Sequence, residues 1–355
     1  MKSICLLLCA GFLFFCTNGW SHAEDREVIT TGKYVMGDLD SKKDARKLAL
    51  LEAKQAALEQ AGTYLKTFTK VKDYQLTEDE ISSLASGLLS VTILEEKWTM
   101  EGENPAVRVK IKAVVRTDEL DRQVNLMRES EGAVQDFKAM QSELAALKRE
   151  LEGLKRRAAE VGREAGKPEV RRELKRKKET ALSKIDVVEL VEEANRDFHW
   201  GRFQSAEARL ARAIELDPEN VKVRLEHARA LMKLERFPEA RDEAQRALAQ
   251  APDDWHAHAV YGWIHLKARK PETAIRSFSR AISLNGACGR CYLGRGIAHQ
   301  KLKQMRKAYR DFKKACEFGT RKGCERARGL EKMGRELLKR RPPLRRPPPH
   351  RRPFR

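Results

Sequence analysis

The chain has 355 residues, and its 72 Lys and Arg outnumber its 52 Asp and Glu to give a net charge of +20. This length allows two or three domains that each bury a hydrophobic core. The sequence contains no HExxH, GxSxG or GK[ST] motif and no pattern of paired carboxylates. It therefore predicts no enzyme, no catalytic residue and no cofactor.

Residues 1–23 have the pattern of a secretory signal peptide. Lys2 precedes an apolar run at 4–16, which is followed by small residues at Ser21 and Ala23. This pattern predicts cleavage after Ala23 and a periplasmic or otherwise exported protein, and the run is too short to span a bilayer. Lipid attachment at Cys16 is the alternative, which two bulky Phe residues immediately before it disfavour.

Residues 24–118 predict a small α+β domain. A strand-like segment, "REVITTGKYVMG", precedes a helix that has Ser41 as its N-cap and an apolar stripe at Ala45, Leu48, Ala49, Ala53, Ala56 and Ala57. A second helix, "EDEISSLASGLL", leads into two strands, of which "AVRVKIKAVVR" alternates apolar and basic residues. This order resembles the N-terminal domain of the flagellar assembly protein FlgT and related small envelope lipoproteins. The resemblance implies a compact envelope module without catalytic residues.

Residues 119–165 predict a coiled-coil stalk. Apolar residues recur at alternating spacings of three and four, at Phe137, Met140, Leu144, Leu147, Leu151, Leu154, Ala158 and Val161. An earlier set, Val124, Met127 and Val134, is out of phase and predicts a stutter near residue 134. The pattern favours a homo-oligomer, although one helix packed on the rest of the chain would show the same stripe. Residues 166–184 are then a basic linker, with a break at Pro168.

A 34-residue pattern fills most of the C-terminal half. Small residues at position 8 of each repeat are Ala194, Ala228, Gly262 and Gly296. Positions 20, 24 and 27 are Ala206, Leu210 and Ala213, then Ala240, Ala244 and Ala247, then Ala274, Phe278 and Ala281, then Ala308, Phe312 and Ala315. Small residues at positions 8, 20 and 27 let antiparallel helices approach closely while position 24 fills the gap, so the spacing predicts four stacked helix pairs.

The pattern resembles the tetratricopeptide repeat (TPR) family over residues 187–322. The resemblance implies a right-handed α-solenoid at 185–338, with four repeats and a capping helix. It also implies a concave groove that binds a protein segment. Mapped onto this sequence, the groove residues are Asn195, His199, Lys222, Arg229, Lys233, His256, Trp263, Lys267, Arg290 and Lys301. A groove this basic suits an acidic peptide, although the paired Lys and Asn of the carboxylate-clamp subgroup are missing.

Four cysteines, Cys288, Cys291, Cys316 and Cys324, remain after removal of the signal peptide. Export favours disulfides, and three pairings exist. The Cys316 to Cys324 spacing resembles that of cysteine-rich Sel-like repeats, in which such pairs staple neighbouring helices. We favour 288–291 with 316–324, and a Cys291–Cys316 bridge is the rival. A zinc site is the disfavoured metal alternative, because the CxxC…CxxC spacing is missing.

The last segment, 339–355, carries eight Lys or Arg, six Pro and no acidic residue. Such a composition predicts a disordered tail that can attract an anionic polymer. The chain as a whole is thus predicted to be mainly α and to act as a non-enzymatic envelope scaffold for protein partners. A flagellar or surface-assembly role through the N-terminal domain and tail-mediated binding to an anionic envelope polymer are the alternatives. Export argues against nucleic acid as a partner.

Overall fold

A computed structural model describes residues 25–71, 74–129, 133–163 and 168–339. The predicted signal peptide, Cys16 and the tail from residue 340 onward lie outside the described residues. Within the described part of the chain, no helix is both long and apolar enough to cross a membrane.

Three strands and thirteen α-helices make up the described chain. The strands are β1 (Arg26–Val35), β2 (Leu89–Glu101) and β3 (Asn104–Val115). The first five helices are α1 (Lys42–Val71), α2 (Glu78–Leu88), α3 (Leu120–Glu129), α4 (Ala133–Arg163) and α5 (Pro168–His199). The others are α6 (Phe203–Leu216), α7 (Val221–Lys233), α8 (Phe237–Gln250), α9 (Trp255–Lys267), α10 (Pro271–Leu284), α11 (Gly289–Lys301), α12 (Met305–Glu317) and α13 (Arg321–Lys339).

The N-terminal domain is a three-stranded antiparallel sheet in the order β1-β3-β2, with α1 across one face. The predicted strands and both helices are confirmed, and α2 begins with a capping box between Thr77 and Glu80. The helix α1 lies very close to the sheet because alanines line most of its sheet-facing side, at Ala45, Ala49, Ala53, Ala57 and Ala61. A Cβ on Gly32 of β1 would collide with the carbonyl oxygen of Ala49, so only glycine permits this approach.

The predicted coiled-coil stalk is not a separate element. The apolar stripe of α4 packs inside the chain, where Leu144 and Leu147 are buried with Leu51 of α1 and Ile185 of α5. Farther along, α4 runs antiparallel to α5 and its end packs on Leu174 near the start of α5. The out-of-phase residues Val124 and Met127 belong to α3 and to the sheet core instead. A stripe covered by its own chain gives no basis for self-association.

The predicted linker is also wrong over residues 168–184, because α5 begins at Pro168 and continues into the first repeat. Proline suits the first turn of a helix, where its missing N–H would have no partner. A buried cation secures this part of α5 to the N-terminal domain. The ammonium of Lys178 lies 2.8 Å from a carboxylate oxygen of Asp40, 2.8 Å from one of Asp44 and 2.7 Å from the carbonyl oxygen of Leu39.

Helices α5 to α12 form the four predicted helix pairs. Each pair turns through a residue with a left-handed backbone, and these residues recur every 34 positions, at Gly201, Glu235, Arg269 and Lys303, with φ of 72°, 59°, 60° and 59°. The recurrence shows that the repeat period governs the turns as well as the packed faces. The three non-glycine residues are held there by surrounding hydrogen bonds, such as that from Lys270 N to His265 O at 2.8 Å.

In the last two repeats, a smaller residue at position 8 is matched by a larger one at position 24. The first two repeats combine alanine at position 8 with Leu210 or Ala244, whereas the last two combine glycine with Phe278 or Phe312. A Cβ on Gly262 would lie 2.8 Å from the ring of Phe278, and one on Gly296 would lie 2.7 Å from that of Phe312. The larger phenylalanine therefore occupies the space that the missing methyl group leaves open.

Two disulfides link residues of the last helices, in the pairing that the sequence analysis favours. Cys288 is bonded to Cys291 and Cys316 to Cys324, with Cα–Cα distances of 5.3 and 4.5 Å. The first bridge lies at the start of α11, where Cys288 is the N-cap. The second links the end of α12 to the first turn of α13, the capping helix.

Candidate functional site

The first repeat contributes less to an open groove than the sequence predicts. The amide nitrogen of Asn195 lies 3.9 Å from the sulfur of Met140 on α4, so this residue faces another helix of the chain. Val188 and Val191 of the same helix are buried together with α4. The side chain of His199 lies outside the described residues. The groove is therefore covered at its N-terminal end by α4.

Four helices bring positive charge together farther along the solenoid. Partial desolvation lowers the pKa of Lys233, and the like charges of Lys267, Arg229, Arg290 and Lys322 lower it further. These five side chains, which we call the cation cluster, come from α7, α9, α11 and α13. Four of them were predicted groove residues. Like charges that are held close in this way favour an anionic ligand.

A buried carboxylate lies beside the cluster. Glu226 of α7 accepts two hydrogen bonds from Arg229, at 2.7 and 2.6 Å. Burial alone would raise the pKa of Glu226, but Arg229, His256 and Lys222 together hold it below its ordinary value. Three predicted groove residues thus surround one internal anion. The arrangement fixes the orientation of Arg229 within the groove wall.

Trp263, one of the predicted groove residues, is half-buried. Its ring packs edge-on against Phe278, with ring centroids 5.4 Å apart. It also contributes to the hydrophobic clusters of the last two repeats. Its first role is therefore in packing, and only its remaining exposed part faces the groove.

Sequence reasoning missed Glu226 and Lys322. Glu226 lies four residues after Lys222 and three before Arg229, a spacing that places all three on one side of α7. That spacing was a usable signal. Lys322 follows the last repeat position assigned to the groove, and only the position of α13 shows that it faces Lys233. Lys301 is exposed and lies one repeat beyond Lys267, at the same repeat position as Lys233 and Lys267.

The wall that carries Lys322 is held covalently. Lys322 lies between Cys316 and Cys324, inside the loop that their disulfide closes. The same loop packs on the start of α11: a Cβ on Gly289 would lie 3.2 Å from Phe318, and the rings of Tyr292 and Phe318 stack at 5.7 Å. The C-terminal end of the groove is thus built by disulfide-linked backbone.

A separate cleft of about 390 Å³ lies between the N-terminal domain and the first repeat. Its charged groups are paired across it or along its walls: Ser86 donates to Glu192 at 2.6 Å, and Arg202 lies 2.7 Å from Asp197. Trp200 donates to the carbonyl oxygen of Gly87 at 3.3 Å. These bonds join the two regions, and they leave the cleft with no dominant charge sign.

The described residues form no metal-binding cluster. No group of three or more His, Cys, Asp or Glu side chains comes together there as a metal site. The groove instead offers a concave surface with one predominant charge, which suits binding of an extended acidic chain.

The sequence of the repeats agrees with a known family. The family model of the tetratricopeptide repeat matches residues 200–264, which include α6 to α8 and most of α9. This match supports the tetratricopeptide assignment for that segment. No curated protein sequence matches the chain.

Several solved structures are similar to part of the chain. The crystal structure of MamA has 15% identity and a TM-score of 0.33, and the match covers 41% of this chain and 96% of MamA. A TPR protein of Thermus thermophilus, TTC0263, has 19% identity and a TM-score of 0.39 over 42% of this chain and 84% of its own. The first TPR of Spaghetti (RPAP3), bound to an HSP90 peptide, has 18% identity and a TM-score of 0.32 over 34% and 96%.

Proposed function

We propose that this chain is a non-enzymatic scaffold whose TPR groove binds an extended, acidic segment of a partner protein. The convergence of Arg229, Lys267, Arg290 and Lys322 on Lys233 supports this proposal most directly. An acidic ligand would relieve the repulsion among these cations while it forms charge-assisted hydrogen bonds with them. The five cations come from four helices of the solenoid, which favours an extended peptide over a small anion.

A direct test uses a fluorescein-labelled peptide rich in Asp and Glu and measures fluorescence anisotropy. Lys233→Glu and Lys267→Glu should each weaken binding by about tenfold or more, because each replaces an attraction by a repulsion at a close, partly desolvated site. Raising the salt concentration should weaken binding to the unaltered protein. Trp263→Ala is unsuitable as a test, since this ring also packs on Phe278.

Lys313→Glu is the matched control. Lys313 is exposed on α12, outside the cation cluster, and its replacement changes the net charge by the same amount. The proposal predicts that this variant binds the peptide almost as the unaltered protein does. Equal weakening by all three variants would indicate attraction by the overall charge and would contradict groove binding.

We further propose that the scaffold acts in the bacterial cell envelope after export. The signal-like pattern of residues 1–23 and two disulfides in the last repeats support this proposal, since disulfides persist in oxidising compartments. Cell fractionation with sequencing of the protein's first residues should find it outside the cytoplasm and beginning at Glu24. A cytoplasmic protein that retains Met1 or Lys2 would overturn it.

For the partner within the envelope, we propose only its chemical class, an acidic protein segment. A flagellar or surface-assembly role depends on the resemblance of the N-terminal domain stated above. Attraction to an anionic envelope polymer depends on the basic tail, which lies outside the described residues. Neither alternative draws on the cation cluster, so binding of the acidic peptide distinguishes the groove proposal from both.

A further inference from the structure

Strand β2 has an open edge. It lies at one side of the β1-β3-β2 sheet, and no other strand pairs with its outer side within the described residues. All residues from 92 to 98 are exposed. Large apolar side chains are among them or next to them, with exposed fractions of 49% for Leu94, 36% for Trp98 and 64% for Met100. An exposed strand edge with apolar side chains is a ready site for pairing with another strand.

The opposite edge, formed by β1, is already engaged. The backbone N–H of Lys33 donates to the carboxylate of Glu52 on α1 at 3.0 Å. The hydroxyl of Thr30 donates to the carbonyl oxygen of Ala53 at 2.8 Å. Because these bonds to α1 occupy part of the β1 edge, β2 is the more accessible of the two edges.

The charges of β2 complement those of a second, antiparallel β2. Around Glu96 the sequence reads "TILEEKWTM", from Thr92 to Met100. Leu94 is the extra residue of a bulge between Ile93 and Glu95 in the pairing of β2 with β3, and the strand is regular from Glu95 onward. If a two-fold axis passes through Glu96 in this regular part, Glu95 lies opposite the partner's Lys97. Symmetry produces this pair twice. Opposite charges that face each other across strands stabilise a sheet.

Neighbouring registers lack this complementarity. An axis through Lys97 would place it opposite the partner's Lys97, and an axis through Trp98 would place Glu95 opposite the partner's Glu101. With the axis at Glu96, the one like-charge contact is between Glu96 and the partner's Glu96. Its charge is already balanced, since a carboxylate oxygen lies 2.5 Å from Arg46, and the other accepts a hydrogen bond from the indole of Trp98 at 3.1 Å.

We infer that two copies of this chain associate through β2, edge to edge and antiparallel, to form one continuous six-stranded sheet. The two Glu95–Lys97 pairs then favour this register over the neighbouring ones, which lack them. The dimer carries two TPR grooves in one particle. A partner with two acidic segments would bind it more tightly than it binds one groove.

A charge exchange at two positions tests the inference. Sedimentation velocity of the purified protein across the micromolar range should show a dimer. Glu95→Lys and Lys97→Glu should each raise the dissociation constant of the dimer about tenfold or more, because each puts two like-charge pairs into the interface. The double variant E95K/K97E restores opposite charges across the axis and should dimerise again. Glu103→Lys, in the β2-β3 turn, is the matched control and should leave the dimer unchanged.

The design separates the interface from folding. Glu95 faces Lys110 within its own sheet, so Glu95→Lys introduces a like-charge neighbour there, whereas Lys97→Glu gains an opposite charge in Arg108. Lys97→Glu therefore tests the interface even if Glu95→Lys unfolds. A protein that is monomeric throughout this range would overturn the inference. A dimer that neither single variant weakens, or that the double variant fails to restore, would also overturn it.

Discussion

The two ends of the solenoid are closed in different ways. At the N-terminal end, α4 and the small sheet domain cover the first repeat with a buried apolar stripe and buried ion pairs. At the C-terminal end, a single capping helix is linked to the last repeat by the Cys316–Cys324 bridge, next to a second bridge at Cys288–Cys291. A terminal repeat has only one neighbour, so each end needs an additional source of stability.

Each end of the solenoid depends on a different source of stability. Non-local packing closes the first end, and its stability should respond to core truncation and to loss of a buried charge. Short covalent loops close the second end, and its stability should respond to reduction. Perturbations that act on one end and spare the other are therefore the sharpest tests of this comparison, and they are given in order of expected effect.

Lys178→Met should have the largest effect. Lys178 is the cation between Asp40 and Asp44, and the side chains of Lys178 and Asp40 are only 7% and 5% exposed. Removing it leaves buried carboxylates without their counter-ion, which should lower the free energy of unfolding by about 3–5 kcal/mol. Urea unfolding followed by circular dichroism measures the change. Lys177→Met is the control, since Lys177 pairs with Glu173 at the surface, where about 0–1 kcal/mol is expected.

Leu147→Ala should lower the free energy of unfolding by about 2–5 kcal/mol, the usual range for truncation of a buried leucine. Leu147 is 6% exposed in the cluster that joins α4 to α1 and α5. The mass in solution should stay that of the unaltered protein, because this stripe is covered by the chain itself. Glu150→Ala, on the exposed side of α4, should change neither property. A lower mass for the leucine variant alone would restore the coiled-coil hypothesis.

Cys316→Ser together with Cys324→Ser should lower the free energy of unfolding by about 2–3 kcal/mol. The reason is that the closed loop restricts the conformations of the unfolded chain, and the double variant removes this restriction. The loss should be local to the last helices. Hydrogen exchange should accelerate in α12 and α13 and stay unchanged in the β1-β3-β2 sheet. The same pair of changes at Cys288 and Cys291 opens a shorter loop and should cost less. Uniform acceleration over the whole chain would show that the bridge supports more than its own end.

Acid should weaken the N-terminal end, with the smallest effect of the four. Hydrogen bonds and ion pairing to Lys178, together with bonds from Ser41, lower the pKa of Asp44 even though partial burial opposes the shift. A depressed carboxyl pKa contributes stability that is present above the unfolded value of about 3.9 and is lost as pH falls through the folded value. Urea midpoints measured from pH 5 downward should therefore fall below about pH 4. Asp44→Asn should reduce this dependence, and an unchanged slope would contradict the assignment.

Much of the fold could be predicted because its signals are local and periodic. Alternation along β3, the alanine stripe of α1 and the small residues of the repeats each identify which side of an element is buried. The turns at Glu235, Arg269 and Lys303 repeat with the same period, but left-handed backbone at a charged residue has no sequence signature. For the groove, the repeat frame identified Arg229, Lys233, Lys267 and Arg290, which lie together in the structure.

The repeat frame and the buried faces follow from the sequence, because both depend on spacing along the chain. The sequence left three cysteine pairings open, and the structure selects the favoured one. What covers the buried faces is a property of the tertiary structure. The stripe of α4 is equally compatible with a second copy or with α5, since an apolar face specifies burial and not its partner. The same holds for Asn195, which the repeat frame places in the groove and α4 covers, and for Lys322, whose charge joins the cluster only through the position of α13. Long-range packing sets these relations, and no local periodicity encodes it.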